Sequence, residues 1–143
     1  MPLAPPAGAV TSTLRHRVPF FETDAMGVVH HSNAVRHLEL SRIVWLDEHD
    51  LPYRDYVAMG MHFATTKVEI EYRGSVRFDD ELLVTVWCEH VRGASLRMGY
   101  VMHVGDVLVG VAATEHAAVD PSGRVRRIPA ERRAALQKLV APN

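Results

Sequence analysis

Hydrophobic and polar positions first alternate along residues 14–21, with Leu14, His16, Val18 and Phe20 on one side and Arg15, Arg17, Pro19 and Phe21 on the other. That period of two predicts a strand, and Pro19, lacking an N–H, places it at a sheet edge or ends its pairing. From about residue 32 to residue 48 the period lengthens. Ala34, Leu38, Ser41 and Trp45 recur at spacings of four, three and four, which predicts a helix of about four turns. Val35, Ile43, Val44 and Leu46 widen its apolar surface, while Arg36, Glu39, Arg42 and Glu48 supply charge. After a proline-containing connection the period of two returns and persists. Ala64, Thr66, Val68, Ile70 and Tyr72 alternate with charged neighbours in 62–73; Leu82, Val84, Val86 and Cys88 form one face of 82–88; Leu96, Met98, Tyr100, Met102 and Val104 form one face of 95–104. Gly105-Asp106 is a two-residue hairpin signal before a last strand over 107–119. "DPSGR" at 120–124 reads as a turn, and residues 129–140 as a short helix with Pro129 in its first turn.

The order is thus one strand, one long apolar helix, then several strands with no helices between them. A doubly wound parallel sheet needs helical crossovers and is excluded. An α+β domain with an antiparallel sheet of four to six strands, carrying the helix on one face, satisfies the burial demand. At 143 residues the chain suits one domain able to bury about 70 % of its unfolded surface. Residues 1–12, rich in Pro, Ala, Gly and Ser/Thr, read as a flexible tail, and 13–143 as a single domain.

Charge and cysteine content narrow the classes. Sixteen Lys+Arg against 17 Asp+Glu leave a net charge of −1, with no basic excess for a nucleic-acid partner. The one cysteine, Cys88, permits no intrachain disulfide. The N-terminal stretch lacks a basic, then apolar, leader pattern, and no apolar run reaches the length of a membrane span. A cytoplasmic protein is expected.

Candidate chemistry concentrates in "FFETDAMGVVHHSN", residues 20–33. Alone, Asp24 ahead of a glycine is an ordinary turn residue. Set just before two histidines and an apolar helix, it is also placed to act on whatever binds at the helix start. His30 and His31 invite a metal reading, but sequence neighbours at a helix start are expected to point apart. No HExxH spacing or third ligand follows, so no metal is expected. Cys88 alternates with Leu82, Val84 and Val86 and reads as core. Ser75 in "RGSVR" lacks the nucleophile-elbow glycines. Glu39 and Arg42, three apart on the helix, read as an ion pair. Arg73, Arg77 and Arg97 are candidates to meet phosphate.

The stretch "FFETDAMGVVHHSNAVRHLELSRIVWLDEH" resembles the signature of the 4-hydroxybenzoyl-CoA thioesterase-like family of hotdog-fold acyl-CoA thioesterases. Thr23, Asp24, Gly27, Val28, Val29, His31, Asn33, Leu38, Glu39 and Arg42 carry the match, and the likeness continues through "VEIEYRGSVRFDDELLVTVWCEHV" to about residue 137. The resemblance implies a hotdog fold, a curved antiparallel sheet wrapped around one long central helix. It implies hydrolysis of an acyl-CoA to free acid and CoA without a cofactor, Asp24 being nucleophile or general base. The backbone N–H at His31 would polarise the thioester carbonyl, aided by the helix dipole. Gly27, Val28, Val29, His30 and Asn33 would lie along the substrate, with Thr23 and Asn33 also holding the loop. It further implies a homodimer or homotetramer in which partner residues around 62–66, Thr65 and Thr66 among them, complete the pocket. A thioester carried by an acyl carrier protein, or binding without hydrolysis, are the alternatives. Two positions depart from the family: Ala34 and His37 stand where aromatics are common, and Ala34 is placed to enlarge or reshape the acyl pocket.

Overall fold

The computed structural model describes residues 1–143. Five strands, β1 (Ser12–Arg17), β2 (His62–Tyr72), β3 (Glu81–Val91), β4 (Ser95–Val104) and β5 (Val107–Val119), form one antiparallel sheet in the order β1-β3-β4-β5-β2. The helices are α1 (Ser32–His49), α2 (Tyr53–Ala58) and α3 (Ala130–Gln137). This is the α+β hotdog arrangement the sequence implied, with α1 laid on one face of the sheet.

The packing follows from the alternation. Ala34, Leu38, Ser41 and Trp45 are all buried on α1. Leu38 and Trp45 join one core cluster with Leu82, Val84, Val86 and Cys88 of β3 and Leu96, Met98, Tyr100 and Met102 of β4, also all buried. Trp87, Val101 and Val111 point to the opposite face, where Ala141 covers them and its N–H donates to the Cys88 carbonyl (2.9 Å). The inward face of β3 is therefore buried along residues 82–88, whereas its outward face is buried at Trp87 and only partly covered at Leu83, Thr85 and Glu89. Burial pushes the Cys88 thiol up to about 12, as befits a core residue. No helix is long and apolar enough to cross a membrane.

Three boundaries differ from the expectation. Pairing of the first strand stops at Arg17, just ahead of Pro19, and Phe20–Glu22 turn into a 3₁₀ helix that leaves Phe20 and Phe21 exposed. The chain is anchored before residue 13: the Val10 carbonyl accepts the Trp45 indole N–H (3.0 Å), and the Thr11 carbonyl accepts from His49 (2.9 Å). The proline connection contains α2, whose buried Tyr56 donates to Asp50.

Gly99 is where the sheet tolerates no side chain. It pairs with Trp87 across β3 and β4, and a Cβ there would sit 2.6 Å from the Trp87 ring and 2.5 Å from Glu89 Oε1. Gly99→Ala is expected to destabilise the fold by about 1–3 kcal/mol through overpacking, read as a lower urea midpoint.

Candidate active site

The loop between β1 and α1 is built by short-range bonds. The Asp24 carbonyl accepts the Gly27 N–H, and the Asp24 N–H donates to the Val28 carbonyl (both 2.9 Å). This closes a tight turn with Asp first and Gly fourth, and Gly27 takes φ +77°, a conformation costly for other residues. The Asp24 carboxylate accepts the Met26 N–H (2.9 Å) within this turn. Past the turn, Val28 bridges to Arg77, and Val29 donates to the Val76 carbonyl (2.7 Å). The Glu22 carbonyl accepts both the His30 N–H (2.8 Å) and the Asn33 side-chain amide (2.9 Å), pinning the loop to the helix start. The Tyr72 hydroxyl donates to the His31 carbonyl (2.7 Å). The His31 N–H donates to no group of the chain.

Against this loop lies a cavity of about 200 Å³. Val28, Val29, His30 and His31 line it from the loop, Ala34 and His37 from α1, and Tyr72, Leu82, Met102 and Val109 from the sheet. It is mostly apolar, and His31, whose backbone N–H is unpaired, is among its lining residues. The two positions that depart from the family pattern, Ala34 and His37, both face it.

Not every expected residue is there. Asp24 sits on the turn beside the cavity but not in its lining, its carboxylate engaged with Met26. Asn33 is buried beneath the loop, where its amide is spent on the Glu22 carbonyl, so it holds the loop instead of lining the cavity. Gly27 shapes the turn and is exposed. Thr65 and Thr66 lie on β2 outside this cavity: Thr65 Oγ1 is 3.2 Å from His116 Nδ1, and Thr66 donates to the Glu115 carbonyl (3.2 Å). The rings of His30 and His31 do not point apart; their centroids are 4.1 Å apart, and the Ser32 N–H donates to His30 Nδ1 (3.2 Å).

The arginines separate as well. Arg97 is held by Glu89 (2.7 Å) and Glu115 (3.1 Å), and Arg73 is paired with Glu71. Arg77, beside the loop, pairs with no carboxylate; its guanidinium reaches within 3.8 Å of where a Gly27 Cβ would stand. Arg42 and Glu39 approach only to 4.0 Å, because Arg42 is buried and Glu39 points to solvent.

A cluster that sequence reasoning missed lies behind the loop. Glu22 Oε1 accepts from His16 Nε2 and from His37 Nε2, each at 2.9 Å. Burial works to raise the Glu22 carboxyl, yet the hydrogen bonds from His16 and His37 hold it below its ordinary value. Burial lowers His37, with Glu22 opposing only in part. A signal existed: His16 shares a strand face with Leu14 and Val18, and His37 follows Asn33 by one helical turn on the inward side.

A second polar chain runs from Tyr100 through Thr114 to His116 (each link 2.7 Å) and on to Thr65, beside the buried Arg42. Burial first, and the Arg42 charge second, push His116 from 6.5 down to about 3. The folded state therefore keeps His116 neutral while the unfolded chain takes up a proton. Stability is expected to fall as the pH drops from about 6.5 towards 3, by up to about 1.4 kcal/mol per pH unit from this group. Chemical denaturation across that window should show a shallower decline in His116→Gln than in wild type.

Residues 18–137 match the family model described as the thioesterase-like superfamily. The chain is 30 % identical over 106 residues to the acyl-CoA thioester hydrolase YbgC of Escherichia coli, covering 73 % of this chain and 79 % of that protein. Among solved structures it is similar to the hypothetical protein TT1821 from Thermus thermophilus, at 30 % identity and a TM-score of 0.87, covering 93 % of this chain and all of that one. It also shares its fold with Slr0204, a 1,4-dihydroxy-2-naphthoyl-CoA thioesterase from Synechocystis, at 20 % identity and a TM-score of 0.79, covering 93 % of this chain and all of that one.

Proposed function

The chain belongs to the thioesterase-like superfamily and is a thioester hydrolase, and on that premise we propose that it cleaves an acyl-CoA at the start of α1, with Asp24 as nucleophile or general base. The observation that carries this reading is the unpaired backbone N–H of His31, a residue of the cavity lining, one loop turn from the Asp24 carboxylate. The thioester carbonyl oxygen accepts from that N–H, and the helix dipole favours the negative charge it develops. A χ1 rotation releases Asp24 from the Met26 N–H and turns it towards the carbonyl carbon. There it attacks directly, expelling CoA thiolate and leaving a mixed anhydride for water to open, or it deprotonates the attacking water. The acyl group occupies the cavity beside Ala34 and His37, and Arg77 is the guanidinium left free for the CoA phosphates. This chemistry needs no cofactor, and a cytoplasmic setting suits its substrate.

Thiol release from acyl-CoAs running from acetyl to palmitoyl, with benzoyl and phenylacetyl, tests this reading. Asp24→Asn is expected to lose at least about a hundredfold in kcat on the preferred ester. Near-normal turnover in that variant removes Asp24 from the mechanism. A second reading keeps the chemistry and changes the carrier: Phe20, Phe21, Met26 and Phe78 are exposed around the loop, an apolar rim suited to an acyl carrier protein. The ratio of turnover on matched CoA and carrier-protein thioesters separates the two.

The substrate site extends to a second copy of the chain. Strand β2 is a sheet edge, its residues 64–68 are exposed, and Val35 and Leu40 expose apolar surface on α1. Edge-to-edge pairing of β2, in a homodimer or a homotetramer, carries Thr65 and Thr66 of the partner towards the loop. Gel filtration is expected to show an oligomer. A charged substitution in the β2 edge, Thr66→Asp, should produce monomers with at least about tenfold lower activity. Full activity in a monomer defeats this part of the reading.

A further inference from the structure

We propose that His16, Glu22 and His37 form a site for a divalent transition-type cation of the zinc class. The three side chains come from β1, the 3₁₀ turn and α1, so no short spacing motif announces them. Their donor atoms nevertheless converge: both imidazole Nε2 atoms lie 2.9 Å from Glu22 Oε1, and all the donor atoms lie within 4.8 Å of one another. Glu22 and His37 are buried, and His16 is shielded to 20 % side-chain exposure. No lysine or arginine pairs with Glu22; the two imidazoles are its only ionic partners. A buried carboxylate with this surrounding is costly unless a positive charge is close.

Two imidazole nitrogens and one carboxylate oxygen are a donor set that suits zinc, leaving a fourth position for water. Tetrahedral bonds of about 2.0–2.2 Å separate ligand atoms by about 3.3 Å, so each Nε2–Oε1 pair opens by a few tenths of an ångström while the two Nε2 atoms, within 4.8 Å of each other, draw together around the ion. Without the ion, each Nε2–H donates to Glu22. With it, both imidazoles stay neutral by carrying hydrogen on Nδ1, and no redox change occurs. The ion would tie three elements together at the residue whose carbonyl holds the His30 N–H and the Asn33 amide. The stacked pair His30–His31 competes poorly: it offers no third ligand, and His30 Nδ1 is taken by Ser32.

Zinc titration of the metal-stripped, untagged full chain by calorimetry tests the proposal, with Co²⁺ as a spectroscopic probe of coordination. One ion per chain is expected, at a Kd of about 10 μM or tighter. Glu22→Gln keeps the size and a hydrogen-bonding oxygen while removing the charge, and His37→Ala removes a ligand. Each is expected to weaken binding at least about tenfold, with circular dichroism confirming the fold. His31→Gln should leave the affinity unchanged. Absent or weaker binding in wild type reduces the cluster to a hydrogen-bonded link and overturns the proposal. So does binding that survives Glu22→Gln and disappears with His31→Gln.

Discussion

Burial of one side of α1 against the sheet is the constraint on which the other features depend. A helix carrying Leu38, Trp45 and Leu46 gains its stability from tertiary cover more than from propensity. The inward faces of β3 and β4 supply that cover with Val84, Val86, Met98 and Tyr100. Once α1 is seated, the position and direction of its N-terminus follow, and so does the place of the unpaired His31 N–H beside the cavity. The site is thus a consequence of core packing, positioned by rigid elements and not by the loop alone.

The connection over residues 18–31 must then return from β1 to that helix end while leaving one N–H unspent. Proline at 19 stops the ladder, glycine at 27 permits the tight turn, and Glu22 takes the His30 N–H and the Asn33 amide onto a single carbonyl. The His31 N–H is left over. Glu22 is unusual in serving the loop through its backbone and two histidines through its carboxylate. Its side chain therefore couples β1 and α1 at the point where the loop enters the site.

Buried polar groups cluster where α1 meets the sheet, and they differ in how well they are satisfied. The Tyr100–Thr114–His116–Thr65 chain is complete, whereas Arg42 Nε and Nη1 find no acceptor within the chain. Arg42 lines the cleft beside the open edge of β2, together with Thr65 and Val68. A buried cation with unspent donors next to an unpaired edge is the electrostatic counterpart of that edge: both are left incomplete by a single chain.

Local pattern alone determined much of this protein. Alternation places Leu82, Val84, Val86 and Cys88 inward, and helical spacing places Ala34, Leu38, Ser41 and Trp45 inward, because side-chain direction is a local property of each period. The turn at Asp24–Gly27 was legible for the same reason, since Asp and Gly have fixed places in it. Contacts between elements far apart in the chain were not legible. His16, Glu22 and His37 meet only because β1 and α1 pack together, and Thr65 lies outside the cavity because β2 reaches the lining at its other end, through Tyr72. The orientation of the Asp24 carboxylate, which accepts the Met26 N–H within the turn, is likewise a feature that spacing does not encode. Sequence determines which faces are apolar and which turns are tight; only tertiary packing decides which polar groups those faces bring together.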